Sequence, residues 1–176
     1  MRAGPVVTAE NIRWLMANNG FGDLVGSLHV SVPRAEQLYR ALTLAAEHGH
    51  LELAAELVAE GVDVRRGAEP LAAAAEHGRL PLIDFLVDAG AAVDERSGYW
   101  GMTPLMYAAD GLEPEAVAAL LRRGADPAAG DNEGRTAVHW AEVGRESYDD
   151  LDAFPPDDVG RRYGEVIRLL RAAGRR

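Results

Sequence analysis

The sequence contains no cysteine and no lysine, and serine and aromatic residues are scarce. Without cysteine, a disulfide framework, a thiol nucleophile and a cysteine zinc site are all excluded. None of the four serines lies in a nucleophile-elbow pattern. No apolar run approaches the ~18 residues of a membrane helix, and the N-terminus does not read as a secretion signal. We therefore expect a cytoplasmic, non-enzymatic protein that uses no cofactor and does not insert into a membrane.

All 18 basic residues are arginine, and alanine is abundant. This combination is typical of a GC-rich coding bias and predicts a bacterial source. The length of 176 residues predicts one domain.

Negative charge is concentrated in the middle of the chain. Residues 40–135 carry 8 basic and 17 acidic side chains, a net charge of −9 within a total of −10. Such a surface disfavours nucleic acid and anionic membranes as partners. Two interpretations remain: the charge serves solubility, or it steers a basic protein partner.

A degenerate repeat occupies most of the chain. The distances from Leu71 to Leu105 and from Gly90 to Gly124 are both 34 residues, and a fixed period of this size predicts a stacked helical array. Paired alanines recur where neighbouring helices must approach closely. Leucine, isoleucine and valine recur at i, i+3/i+4 spacing in a second helix of each unit. Glycines follow both helices, where a left-handed residue is expected.

The repeat resembles the ankyrin family. The best match runs from Gly124-Ala125-Asp126 to Asp131-Asn132-Glu133-Gly134-Arg135-Thr136-Ala137-Val138-His139, in which Ala137 and Val138 replace the family's proline and leucine. The resemblance implies an all-α solenoid of about four helix-pair repeats, with short β-hairpin-like fingers and an N-terminal helical cap. The repeat boundaries are expected at about 40–67, 68–101, 102–135 and 136–176.

Residues 1–39 are expected to form the cap and the start of the first repeat helix. Thr8 can cap a helix that places Ile12, Leu15 and Met16 on one face. This helix would cover the apolar end of the first repeat, as solenoid ends require. A degenerate extra repeat is the alternative.

The repeat departs from its pattern at the connections. From Gly61 to Gly90 the spacing is only 29 residues, so the first finger should be short or absent. The next finger, residues 94–101, carries Tyr99 and Trp100 at its tip. Large amphipathic rings are enriched at interface hot spots, which makes this pair the first candidate for partner contact. The alternative is that Trp100 folds back onto a neighbouring finger.

The last repeat contains an insertion at about 145–161. Thr136 and Gly174 lie 38 residues apart, against 21 for the equivalent Thr103 and Gly124. We expect an acidic loop here, followed by a helix that begins near Val159. The loop is a second candidate docking element or a solvated connection with its phenylalanine tucked inward; its residues of interest are Tyr148, Asp149, Asp150, Asp152 and Phe154.

Judged by residue type alone, the cluster of His48, His50, Glu52 and His77 is compatible with a metal site. However, His48 and His77 hold equivalent positions one repeat apart, so hydrogen bonding at the turns is the preferred interpretation and no metal is predicted.

The resemblance implies that a partner meets the finger tips and the concave face of the first helices. We therefore predict a monomeric, non-catalytic protein–protein interaction scaffold; if the acidic charge steers binding, its protein partner is basic. The alternatives are a regulatory or immunity-type inhibitor and a ligand- or metal-responsive sensor. The predicted contact residues are Glu47, His48, Glu76, His77, Glu95, Arg96, Tyr99, Trp100, Met102, Asp110, Asn132, Glu133, Arg135 and Val143.

Overall fold

A computed structural model describes residues 34–149 and 156–175. The described part contains eight helices that follow one another in antiparallel pairs. Their bounds are α1 Arg34–His48, α2 Leu51–Ala59, α3 Glu69–Glu76, α4 Leu80–Asp88, α5 Pro104–Asp110, α6 Pro114–Arg122, α7 Ala137–Asp149 and α8 Pro156–Ala173. The predicted N-terminal cap falls on residues that lie outside this description.

The helices form two layers. The first helices of the pairs, α1, α3, α5 and α7, pack side by side as an inner row, and α2, α4, α6 and α8 form an outer row behind them. The all-α ankyrin solenoid that the repeat predicts is confirmed. Each unit buries its apolar surface against its neighbours, as expected for a stack of units that cannot fold alone.

Small residues let the inner helices approach closely. The alanines at the repeated position are completely buried. Glycine takes over this role where the backbones come closest: a Cβ on Gly111 would collide with the carbonyl of Glu76, and one on Gly144 with the carbonyl of Asp110. The close packing of the inner helices therefore requires alanine or glycine at their contacts. The buried alanines are Ala45, Ala46, Ala74, Ala75, Ala108, Ala109 and Ala141.

The outer helices supply the larger apolar side chains of the core, as the i, i+3/i+4 pattern predicts. The buried members are Leu53, Leu57, Leu82, Ile83, Leu86, Val117, Leu120, Val166 and Leu170. Val58, Val87 and Leu121, from the same stripe, are partly buried against this cluster.

One turn between paired helices has a leucine at the position where two other units have a glycine. Gly49 and Gly78 have φ of 84° and 63°, as the left-handed turn requires. At the equivalent place in the third unit stands Leu112, with φ of 51°. A left-handed non-glycine residue costs about 1–2 kcal/mol. Burial of the Leu112 side chain, which is 2% exposed, offsets this cost.

The connection between α2 and α3 is short and contains no β-bridge among residues 60–68, in line with the reduced spacing. Side-chain contacts stabilise this connection instead. Tyr39 donates its hydroxyl to Glu69 at 2.7 Å, and the guanidinium of Arg66 lies 5.1 Å from the centre of the Tyr39 ring. Arg66 also pairs with Glu36.

The insertion in the last repeat is more helical than the sequence indicates. Helix α7 continues to Asp149, and α8 already begins at Pro156, not near Val159. The expectation of a loop over 145–161 is therefore corrected at both ends. Proline is compatible with the first turn of a helix, because its missing N–H would have no partner there. Burial of Val159 and half-burial of Tyr163 hold the added turns of α8.

Candidate protein-interaction surface

The finger between α4 and α5 is a tight hairpin. Ser97 and Met102 exchange backbone hydrogen bonds of 2.9 and 3.0 Å, which form an isolated antiparallel bridge. Tyr99 and Trp100 lie at its tip, where they are 87% and 41% exposed. The prediction that both rings lie at an exposed tip is confirmed. We call residues 93–102 the aromatic finger.

The next finger, residues 126–135, supports the aromatic finger from one side. Asn132 donates its backbone N–H to the carbonyl of Trp100 at 2.9 Å and its side-chain amide to the carbonyl of Tyr99 at 3.2 Å. Asp94 accepts the backbone N–H of Asp126 at 3.0 Å. We call residues 126–135 the support finger. Its Asn132 side chain is used to hold the tip in place.

Asp131 organises the support finger from a buried position. Its carboxylate accepts the backbone N–H groups of Glu133 and Arg135, both at 2.9 Å. It also accepts Nε of Arg135 at 2.8 Å and the indole N–H of Trp140 at 3.2 Å. Burial alone would raise the pKa of Asp131, but these hydrogen bonds and the Arg135 charge lower it to about 2.

Arg135 joins the two fingers through its flat guanidinium. The carbon at its centre lies 4.6 Å from the Trp100 ring centre and 4.8 Å from that of Trp140. One terminal nitrogen pairs with Glu133 at 3.2 Å. The other is buried and has no hydrogen-bond acceptor within the described chain; the two indole faces provide its favourable electrostatic surroundings. Trp100 therefore does fold back onto the neighbouring finger with part of its ring.

A row of carboxylates follows the ends of the inner helices. Glu47, Glu76 and Asp110 hold equivalent positions at the ends of α1, α3 and α5. The Glu47 carboxylate lies 3.9 Å from Nε2 of His48 and 4.0 Å from Nε2 of His77. We call these three acids the acidic row. In the last repeat the same position is Val143, which is half-buried.

Asp110 is the most perturbed group of the acidic row. Its carboxyl is half-buried, and burial together with the negative charge of Glu76 raises its pKa to about 6. The like charges of Glu76 and Asp110, in adjacent repeats, repel each other when both groups are ionised, which is costly to the folded state.

The structure corrects one predicted contact residue. Met102 is 4% exposed and belongs to the core, because its pairing with Ser97 in the bridge turns its side chain inward. Glu95, Arg96, His48 and His77 are exposed. Asn132 and Glu133 are also exposed at the support finger.

The second candidate element is only partly described. The backbone of Tyr148 and Asp149 continues α7, whereas Asp150, Asp152 and Phe154 lie outside the described residues. This element stays a prediction.

Asp131 and Trp140, the buried residues that hold the support finger in place, were not identified from the sequence. A signal was available, because Asp131 opens the family-like Asp-x-x-Gly stretch and Trp140 lies one helical turn after Thr136. Neither is a contact candidate, since both are buried. They shape the surface without being part of it.

Across residues 34–149 and 156–175, no group of three or more histidine and acidic side chains is placed to hold a metal ion. Over the same ranges, none of the helices combines the length and the apolar character needed to cross a membrane.

Comparison with known proteins agrees with this architecture. A family model described as ankyrin repeats (3 copies) matches residues 13–97 and 71–149. Palmitoyltransferase ZDHHC13 of Homo sapiens is 38% identical over 101 residues, which cover 55% of this chain and 16% of that protein. The protein of the same name from Pongo abelii matches equally. These relatives are animal proteins, so they give no support to the predicted bacterial source.

Proposed function

The chain belongs to the ankyrin-repeat family, and from that membership we propose that it binds a basic protein partner. Ankyrin repeats are generally protein–protein interaction modules. The contact surface is the acidic row together with the exposed side of the two fingers. The family also supports a non-catalytic role.

The uncompensated charge of the acidic row carries this proposal. Other acidic side chains of the array are paired with arginine: Asp84 and Asp88 on the outer helices join Arg123, and Glu113 joins Arg162. Glu76 and Asp110 have no such partner in the described residues. A basic surface would neutralise them on binding, and complementary charge also accelerates encounter.

Palmitoyltransferase activity is not proposed for this chain. That name belongs to relatives of which the chain matches only 16% of the length. The expectations of a monomer and of a cytoplasmic location stay predictions from the sequence.

Capture from the source cell with matched variants tests the proposal. The bait is the full chain, and the test variant is Glu47→Gln with Glu76→Gln. The control, Glu52→Gln with Glu56→Gln, removes two charges from exposed positions of α2 on the outer row. Bound proteins are identified by mass spectrometry and quantified for all three baits.

The proposal predicts a protein of basic surface that wild type and control retain equally and that the Glu47/Glu76 variant retains several-fold less. Equal capture by all three baits would show that the acidic row is not the contact surface.

A further inference from the structure

The two aromatic residues of the aromatic finger have different surroundings. Trp100 contacts Arg135 and Trp140 with its ring. Tyr99 meets Trp100 in a T-shaped arrangement, at 5.0 Å between ring centres and an interplanar angle of 84°. Its ring is 87% exposed, and no described residue hydrogen-bonds its hydroxyl. Tyr99 thus presents an aromatic face that the folded chain does not use.

The backbone that carries this ring is held in a fixed position. The carbonyls of Tyr99 and Trp100 both accept hydrogen bonds from Asn132, and the Ser97–Met102 bridge closes the hairpin beneath them. A contact made from a preorganised backbone loses less conformational entropy on binding. The construction of the two fingers is therefore suited to recognition by Tyr99.

The chain itself indicates which group fits an aromatic face in this environment. Within the described ranges, arginine guanidinium groups lie over aromatic rings at three places: Arg66 over Tyr39, Arg135 over Trp100 and Trp140, and Arg145 over Tyr163, at 4.6–5.1 Å from the ring centres. Tyr99 has no such partner among these residues.

The charge around Tyr99 also favours a cation. The aromatic and support fingers together contain five acidic residues and two arginines, a net charge of −3. One of these arginines, Arg135, is already paired with Asp131 and Glu133. A cation that approaches the tip therefore meets a negative field, to which the phenol ring adds its own negative face.

We propose that Tyr99 receives an arginine side chain of the partner, whose guanidinium stacks on the exposed phenol ring. Trp100 is a positioning residue that orients Tyr99 through the contact with Arg135. This inference rests on the proposed function, because it names the side chain through which a basic partner is recognised.

Peptide titration tests the inference without knowledge of the partner. The probe is a heptapeptide of alternating glycine and arginine. Its matched control carries citrulline in place of arginine, which keeps the planar group and removes the charge. Both are titrated into the full chain at low salt, and the ring resonances of Tyr99, assigned by their loss in Tyr99→Phe, are followed by NMR.

We expect the arginine peptide, and not the citrulline peptide, to shift the Tyr99 resonances. A cation–π contact at an exposed site corresponds to roughly a three-fold change in affinity. Tyr99→Leu should therefore weaken binding of the arginine peptide about three-fold, whereas Tyr99→Phe should stay within two-fold of wild type. Unchanged melting temperatures of both variants, as expected for an exposed side chain, would exclude loss of folding as the cause.

The outcomes separate this inference from the proposed function. If wild type and Tyr99→Leu bind the arginine peptide equally, the Tyr99 site is overturned while an acidic surface for a basic partner still stands. If wild type fails to bind the arginine peptide at low salt, both proposals are contradicted.

Discussion

The guanidinium of Arg135 lies 4.6 Å from the centre of the Trp100 ring and so joins the two fingers through residues that are 35 positions apart in the chain. This contact gives Trp100 a structural role and leaves Tyr99 as the free aromatic group. It also places a buried carboxylate, Asp131, behind the surface as the partner of Arg135.

Asp131→Asn should lower the melting temperature more than Glu133→Gln does. The amide keeps the shape of the carboxylate but loses its charge, and its NH₂ group cannot accept the hydrogen bonds that both carboxylate oxygens receive. Glu133 is exposed, so its neutralisation is the matched control. Equal melting temperatures for the two variants would contradict the role given to Asp131.

Acid titration gives an independent check on Asp131. Its folded pKa of about 2 lies below the value of about 3.9 expected in the unfolded chain. The ionised group therefore stabilises the fold above about pH 4, and this contribution is lost as the pH falls toward 2. Denaturant unfolding should show a steeper loss of stability between pH 4 and 2 in wild type than in Asp131→Asn.

Asp110 should behave in the opposite way. Its folded pKa of about 6 exceeds the unfolded value of about 3.9, so the folded state holds its proton more tightly and loses stability as the pH rises from 4 to 6. Asp110→Asn should be more stable than wild type at pH 7 by about 1 kcal/mol, a figure reduced for solvent screening. The difference should vanish below pH 4. A wild-type advantage at pH 7 would show that Asp110 has a stabilising partner.

Gly144→Ala should destabilise the fold by about 1–3 kcal/mol, because the new methyl group would meet the backbone of Asp110 on the adjacent inner helix. Gly164→Ala is the same chemical change within α8, where no described atom beyond the neighbouring residues and the local helix backbone lies within 4 Å of the new methyl. It should stabilise by up to about 1 kcal/mol, the usual advantage of alanine in a helix. The pair is measured by urea unfolding, and a stable Gly144→Ala variant would mean that the inner helices can move apart.

Much of this fold could be predicted, because the repeat encodes it locally. Paired alanines and spaced leucines determine which faces of the helices are buried, and Gly49 and Gly78 mark the turns. Leu112 escaped prediction, since its left-handed conformation is stabilised by burial in the core, a tertiary effect. The added turns of α8 escaped for a similar reason: the packing of Val159 and Tyr163 stabilises them.

The exposed residues of the candidate site could be predicted from the sequence. The buried residues that hold them in place were harder to predict. An aromatic pair between two glycines, Gly98 and Gly101, indicates a tip, and Tyr99 is indeed exposed. The inward direction of Met102 depends on the pairing of Ser97 with Met102, which requires knowledge of the hairpin register. The cluster of Asp131, Arg135 and Trp140 depends on contacts between a finger and a helix.

The central claim is that the acidic row binds a basic partner through charge. It is tested most directly by the salt dependence of partner affinity for wild type and for Glu47→Gln with Glu76→Gln, measured by calorimetry between 50 and 500 mM salt. Exposed charges are screened over this range. The account predicts that wild-type affinity falls steeply with salt and that the variant binds more weakly with a shallower dependence. Wild-type affinity that is indifferent to salt, or equal slopes for both proteins, would contradict it.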